Sequence, residues 1–239
     1  MYVAVFYSHS DYSDVWPVMF EQMDKHLPSC KKYLFSDQTT TAVERDNWTL
    51  ITYDDTLRYQ QRMVFCLDQV EEEIILFHHE DTFLYNPPQY ETLLQIANTI
   101  HNNEIDIVKL ICASYGPITF KNTTSVPCIY KNPSRLQFAI QPSLCNKSKL
   151  RLIYDKTGGN NIWEFEAYSS AVSHYYNIRT GMTHSPQDAK RGEYHWDSSI
   201  YPYFATAVVK GKWNFTEYES KLKPVLEENG IDFDVRGTC

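Results

Sequence analysis

Residues 71–85 read EEEIILFHHEDTFLY. Three acids lead into four apolar residues, Ile74, Ile75, Leu76 and Phe77, and His78, His79, Glu80 and Asp81 follow without a break. A short unbroken apolar run is the pattern of a strand covered on both faces. Such strands belong to parallel or mixed sheets held between helix layers. In open α/β sheets ligands bind beyond the carboxyl ends of the strands, which is where the four polar residues would stand. Imidazoles and carboxylates there can ligate a divalent metal, and a metal can hold a diphosphate. The stretch therefore points to an enzyme.

Toward the start of the chain, residues 2–7 (YVAVFY) read as a first strand ending at Ser8 and His9. Asp14 is placed to cap the helix that follows, whose Pro17 fits only in a first turn. Residues 32–35 and 48–53 give two more strands, ending at Asp37 and at Asp54-Asp55. Residues 56–70 carry Leu57, Val64 and Leu67 at helical spacing, with Arg58 and Arg62 outward. Beyond the Asn86-Pro87-Pro88 break, residues 90–101 read as helix and 105–111 as strand. Residues 112–135, with Pro117, Pro127 and Pro133, read as irregular or edge structure close to the site. Next come a short element at 136–140, a helix over 143–154, a turn at Gly158-Gly159-Asn160, a helix over about 165–176 and a closing helix over 217–229. Strands alternating with helices give an α/β fold with a mixed, mostly parallel central sheet flanked by helices. With no repeat and no linker, all 239 residues are expected to form a single Rossmann-like domain.

Apolar and charged fractions of 43% and 22% are those of an ordinary soluble globule. A net charge of −8 with no basic run argues against a nucleic-acid binder. The 18 Tyr, 12 Phe and 5 Trp supply faces suited to sugars and bases, although most are expected in the core. Residues 1–14 lack the basic and apolar segments of a signal peptide, and no apolar run reaches the roughly 18–20 residues of a membrane span. A cytoplasmic location is the expectation. Six cysteines without CxxC spacing read as free thiols, not as a disulfide frame or a zinc site.

The string Gln141-Pro142-Ser143-Leu144, then Leu150, then Trp163-Glu164-Phe165-Glu166, following a strand that ends in acids, resembles nucleotide-sugar glycosyltransferases of the GT-A fold. Viral and bacterial enzymes that build surface glycans are the nearest in pattern. The resemblance covers most of the chain in order and spacing. It departs in two places: the DxD-type metal motif reads His79-Glu80-Asp81, and Cys145 stands where the middle string carries Trp. What the resemblance implies is an inverting, metal-dependent transfer of a sugar from a nucleoside-diphosphate sugar, UDP-sugar by default, to a glycan or glycoprotein. The cofactor would be Mn²⁺ or Mg²⁺, with Asp81 as first ligand and His195 completing the metal or diphosphate site. Glu80 and His79 would assist or meet the ribose and phosphates. Ser8, His9, Tyr53, Asp54 and Arg62 would hold the nucleotide, and Tyr59 would stack on the base. Residues from about 1–112 would form the nucleotide-binding half and from about 113–239 the acceptor and catalytic half.

The chemistry agrees. Sugar transfer builds negative charge on the leaving diphosphate, and a divalent cation held by one or two carboxylates offsets it. Neighbouring imidazoles favour Mn²⁺ over Mg²⁺. An inverting transferase also needs a carboxylate to take the acceptor's proton. The resemblance gives this role to Glu166, near a helix N-terminus that would favour its charged form. Asp197, in the run Glu193-Tyr194-His195-Trp196-Asp197, is the alternative base. His195 and Asp197, two apart, point the same way if extended. Lys210 or Lys212 could neutralise phosphate, and the stretch 180–194, flanked by Arg179, Lys190 and Arg191, could be a lid. Blander readings stand beside these: Glu80-Asp81 as a surface turn, Glu166 as a helix cap beside a core Trp163, Arg62 as a solvated helix residue, and 180–194 as a plain loop.

Three other functions use the same features. A nucleotidyltransferase would also use Asp81 and a metal, but residues 8–14 (SHSDYSD) are neither Gly-rich nor basic. A non-catalytic carbohydrate- or nucleotide-binding protein of the same fold would explain the histidine at position 79. A metallohydrolase would need spaced helical histidines, and no HExxH occurs.

Overall fold

The computed structural model describes residues 1–40, 43–113, 121–131, 137–159, 161–191 and 195–239. The apolar runs become strands and the amphipathic stretches helices, in the order β1 (Val3–Tyr7), α1 (Trp16–His26), β2 (Lys32–Ser36), β3 (Trp48–Thr52), α2 (Tyr59–Leu67), β4 (Ile74–His79), α3 (Tyr90–His101), β5 (Ile107–Lys109), β6 (Ile129–Lys131), β7 (Ser143–Asn146), α4 (Lys147–Lys156), α5 (Ile162–Tyr175) and β8 (Thr180–Thr183). Two small hairpins follow, β9 (Lys190–Arg191) with β10 (His195–Trp196) and β11 (Val208–Val209) with β12 (Lys212–Trp213), and then α6 (Phe215–Glu228) and α7 (Phe233–Arg236).

Eight strands make one sheet in the order β3-β2-β1-β4-β7-β5-β8-β6. β3, β2, β1 and β4 are mutually parallel, as are β5 and β8. β7 runs antiparallel between β4 and β5, and β6 antiparallel at the edge. With β7 opposed to both neighbours, β5 points the same way as β4. The carboxyl ends of β1–β5 therefore lie along one edge of the sheet, with Tyr7 opposite His79 in the register.

Each strand sends alternate side chains to opposite faces. Ala4, Phe6, Leu76, Leu144 and Val108 pack with α1, α3 and α6, while Val5, Tyr7, Phe77, Cys145 and Ile107 pack with α2, α4 and α5. Two apolar cores thus sandwich the sheet, as the alternation of strands and helices requires. No helix among the described residues is long and apolar enough to cross a membrane, and all six cysteines are free.

Several expectations shift. Asp14 does not cap α1: Val15 holds the cap position without a side-chain bond. The Asp14 carboxylate instead takes the Arg236 guanidinium, with Nε at 2.8 Å from Oδ2. Residues 143–146 are strand and not the start of a helix; α4 begins at Lys147, with Asn146 Oδ1 accepting the Lys149 amide at 3.2 Å. The first part of the expected lid is β8, a buried strand paired on both sides. A Cβ on Gly181 would come within 2.7 Å of Ile105 Cδ1 and 2.9 Å of Ile129 Cγ2, so a side chain there would require both to shift. Trp163 is not a core residue but 77% exposed. Residues 137–140 carry no strand, while Pro117, Pro133, Leu136, Asn160, Glu193 and Tyr194 lie outside the described residues.

Candidate functional site

β4 ends with adjacent histidines on opposite faces of the sheet. His78 enters the α1/α3 side, where its ring stacks on Phe6 at 4.8 Å. Its Nε2 lies 2.7 Å from the Tyr201 hydroxyl, and Nδ1 lies 2.9 Å from the Thr82 carbonyl. Burial drives its pKa down to about 3, so this ring is a neutral core residue. His79 turns to the α2/α4 side. Its Nε2 lies 3.0 Å from the Tyr59 hydroxyl, which is also 3.0 Å from that of Tyr154. Burial pushes His79 down to about 4.

His79 and Tyr59 line a cavity of about 400 Å³ together with Tyr7, Arg58, Gln60, Gly159, Asn161 and Ile162. It opens at the carboxyl ends of β1 and β4 and draws on both halves of the chain. Its walls are aromatic for a physical reason: Tyr7 stacks on Tyr53 at 5.4 Å and meets Tyr59 edge-on at 4.9 Å, arrangements that ring quadrupoles favour. The Gln60 amide donates to the Gly159 carbonyl at 3.2 Å and ties α2 to the segment before α5. Gly159 has φ 126°, and a Cβ there would meet the Phe165 amide nitrogen at 2.8 Å.

Past His79 the chain turns: the Thr82 hydroxyl donates to the His79 carbonyl at 2.8 Å. Glu80 is thereby folded into the protein, while Asp81 stays partly exposed in the turn. Glu80 is buried and hydrogen-bonded to Ser8, while the Asp81 carboxylate takes the Val208 amide. Burial raises both carboxyls, and the charge of Asp81 raises Glu80 further. The Arg236 guanidinium partly offsets them. A buried carboxylate next to a second, partly buried one is costly unless a cation or a proton joins them. Among the described residues no three His, Cys, Asp or Glu side chains form a metal-holding group. The donor set fits a hard divalent cation bound by one or two carboxylates and completed by phosphate and water oxygens.

The other candidates fall in three places. Ser8 is buried, accepting the Trp16 indole on its hydroxyl and the Tyr53 hydroxyl on its carbonyl, each at 2.7 Å. It pins the end of β1. His9 sits among carboxylates, 3.2 Å from Asp55, 3.4 Å from Asp11 and 3.7 Å from Asp37. Asp54 turns back on the Thr56 hydroxyl at 2.7 Å. Arg62 is not a free surface cation: it pairs with Asp55 at 2.7 Å and reaches the Tyr7 hydroxyl at 3.4 Å.

His195 and Asp197 form a separate group under α6. His195 Nε2 lies 3.4 Å from the Tyr218 hydroxyl and 3.9 Å from Glu217. Asp197 is clamped by Arg191 at 2.5 Å and Lys221 at 2.9 Å. Burial alone would raise its carboxyl, but these cations overcome it and hold it below the ordinary range. Of the other cations flanking the expected lid, Arg179 makes a bidentate pair with Asp106 and Lys190 lies over the Trp196 ring. Lys210 and Lys212 belong to the β11–β12 hairpin, turned through Lys210 and Gly211 at φ 50° and 77°. That hairpin supplies the amide held by Asp81.

Glu166 lies in the second turn of α5, not at its N-terminus; Asn161 caps the helix through the Glu164 amide at 2.9 Å. One Glu166 oxygen accepts the Ile140 amide at 2.7 Å. Burial raises its pKa, against the pull of that amide and of Lys109. Glu166 is near enough to Tyr59 and Tyr154 for its charge to raise both hydroxyls. Lys109, the last residue of β5, is buried, and burial lowers it to about 8. Its signal in the sequence is a lone lysine within the apolar run of residues 105–111. Tyr7, Tyr154, Gly159 and Asn161 had no such signal, because only the tertiary fold brings them together.

No protein-family model and no curated protein sequence matches the chain. Among solved structures, the chain aligns with residues 1–349 of TarS from S. aureus at a TM-score of 0.52 and 13% identity, over 86% of its own length and 60% of that structure. That likeness is one of fold, and the chain spans three fifths of the structure it matches. The glycosyltransferase GlyE of Streptococcus pneumoniae TIGR4 aligns at a TM-score of 0.45 and 14% identity, over 75% of this chain and 44% of that one. A putative glucose-1-phosphate thymidylyltransferase from Bacillus anthracis aligns at 0.46 and 7% identity, over 84% and 91%. Neither of these two scores carries an argument by itself. The neighbours include both sugar and nucleotidyl transferases.

Proposed function

We propose that this chain is a metal-dependent glycosyltransferase that takes its sugar from a nucleoside-diphosphate donor. The observation that carries the reading is the placement, at one sheet edge, of an aromatic cavity around Tyr7, Tyr59 and His79 and, directly after His79 in the chain, the buried Glu80 and partly exposed Asp81. A nucleoside finds ring faces and hydrogen-bonding groups in that cavity. Asp81, with Glu80, would hold Mn²⁺ or Mg²⁺ together with the diphosphate, and the metal would supply charge neutralisation of the leaving group. The acceptor hydroxyl then attacks the anomeric carbon, the bond from that carbon to the diphosphate oxygen breaks, and Glu166 receives the hydroxyl proton. A carboxyl raised by burial suits that task, because a base works best with a pKa near the operating pH. Asp197, locked between two cations, is the weaker choice of base.

Nucleotidyl transfer from a triphosphate fits less well. Residues 8–14, the segment after β1, offer neither a Gly-rich loop nor a Lys or Arg to cradle a triphosphate.

The test is thermal unfolding with UDP, GDP, dTDP and CMP, each with and without Mn²⁺, on wild type and on Asp81→Asn. A ligand at about 100 times its dissociation constant should stabilise the fold by roughly 2.7 kcal/mol. One nucleotide should do so only with Mn²⁺, and Asp81→Asn should lose the effect while remaining folded. An unchanged shift in Asp81→Asn would sink the metal assignment. Nucleotide binding without turnover of any donor sugar would make the chain a nucleotide-binding protein on the same fold.

A further inference from the structure

α2 and α4 pack side by side on one face of the sheet, and between them runs a groove of about 490 Å³ that the mechanism above does not use. It adjoins the His79 cavity. Arg58, Gln60 and Gly159 line both, and the hydrogen bond from the Gln60 amide to the Gly159 carbonyl stands between the two.

Three kinds of donor in this groove lack partners. The first is a cation: every other arginine among the described residues pairs with a carboxylate, whereas Arg58 is exposed and makes no ion pair among them. The second is a helix end. The first intrahelical bond of α2 runs from the Arg62 amide to the Arg58 carbonyl, so the amides of Tyr59, Gln60 and Gln61 have no acceptor within the helix. Arg58 at the cap position carries no side-chain acceptor for them. The third is a hydroxyl. Thr157 lies on the groove wall, is 6% exposed, and its Oγ1 is buried without a hydrogen-bond partner among the described residues. A buried hydroxyl left unpaired costs stability, so its presence here points to a ligand.

The charge around the groove fixes the sign of that ligand. The chain carries −8 overall, yet α2 (YQQRMVFCL) has no acid and α4 (KSKLRLIYDK) has one acid to four bases. The two carboxylates on the groove are already held, Asp68 by Arg151 at 2.5 Å and Asp155 by Lys156 at 2.7 Å. A guanidinium, a hydroxyl and the positive end of a helix suit a compact oxyanion with several acceptor oxygens.

We propose that the groove between α2 and α4 binds the phosphate of a second ligand, a phosphomonoester or free inorganic phosphate, alongside the occupant of the His79 cavity. The site goes beyond the glycosyltransferase reading and does not depend on it.

The full chain is unfolded thermally at matched ionic strength with millimolar inorganic phosphate or glucose 6-phosphate, in EDTA so that no metal takes part. The midpoint should rise above its value in chloride. A rise with glucose 6-phosphate assigns a phosphomonoester, and a rise with inorganic phosphate alone assigns the free ion. Arg58→Gln should weaken the affinity, read from the concentration dependence of the midpoint, by about tenfold or more, because charge-assisted bonds are lost. Thr157→Val should weaken it about fivefold and should raise the midpoint without ligand, since a methyl replaces an unpaired hydroxyl of the same shape. With UDP and Mn²⁺ present, the stabilisation by phosphate should add to that by the nucleotide. The proposal is overturned if neither anion raises the midpoint, or if either variant binds as tightly as wild type. Competition between phosphate and UDP with Mn²⁺ would overturn it too, because the groove would then be part of the donor site. Should no nucleotide stabilise the chain while phosphate still does so through Arg58 and Thr157, the donor reading fails and this site stands.

Discussion

At the scale of single residues, adjacency in sequence is a poor guide to shared chemistry. His78 and His79 are neighbours, yet the period-two alternation of a strand sends one into the core and the other to the cavity. His78→Phe should cost about 1–3 kcal/mol near pH 7.5, because it leaves the Tyr201 hydroxyl buried without its partner. It should also flatten the acid limb of stability. The native ring stays neutral down to about 3, whereas an unfolded histidine takes up a proton near pH 6.5. Stability that depends on the neutral ring is therefore complete above about pH 6.5 and drains away toward pH 3. Urea midpoints between pH 7.5 and 4.5 should fall more steeply for wild type than for His78→Phe; parallel curves would contradict this. Glu166→Gln tests the other end of the site. Transfer should drop by about 10²–10⁴-fold with the Mn²⁺-dependent nucleotide shift intact. If Asp197→Asn is inactive while Glu166→Gln works, the roles of the two carboxylates must be exchanged.

At the scale of elements, the legible parts were those with a strong period or an unbroken apolar run. α3 spans the residues its spacing predicts, and β1, β2 and β4 come directly from their apolar runs. β7 is not legible as a strand because four residues are too short to show a period, and the helical spacing of α4 continues back across them. Asn146 is the true boundary mark. Asn146→Ala should destabilise the fold by about 0.5–2 kcal/mol, read from a urea midpoint, since α4 then starts with an uncapped amide. Of the candidate site, the strand-end residues His79, Glu80 and Asp81 are visible in the sequence as the polar run that follows an apolar one. The sequence does not disclose that Arg179 pairs with Asp106 or that Lys221 pairs with Asp197, because these partners lie 73 and 24 residues apart in the chain. Nor could spacing place Trp163 outside: a lone tryptophan near a helix start is compatible with either face until the packing of Phe165 fixes the rotation.

At the scale of the whole molecule, one sheet takes strands from both halves of the chain, and the cavity takes walls from both. We expect the halves to unfold together. In native-state hydrogen exchange, the amides of β1, β4 and β8 should share one opening free energy; distinct values for β1 and β8 would divide the chain into independent units. The antiparallel insertion of β7 also has a consequence in time. Ile74 pairs with Asn146, and Phe77 with Ser143, so on a ribosome adding about 5–20 residues per second the inner edge of β4 waits roughly four to fifteen seconds for its neighbour. During that interval an apolar strand lies open beside the nascent chain, as an edge on which a foreign strand could pair. Synthesis rate and chaperone supply, more than final stability, should then govern how much of this protein reaches its native sheet.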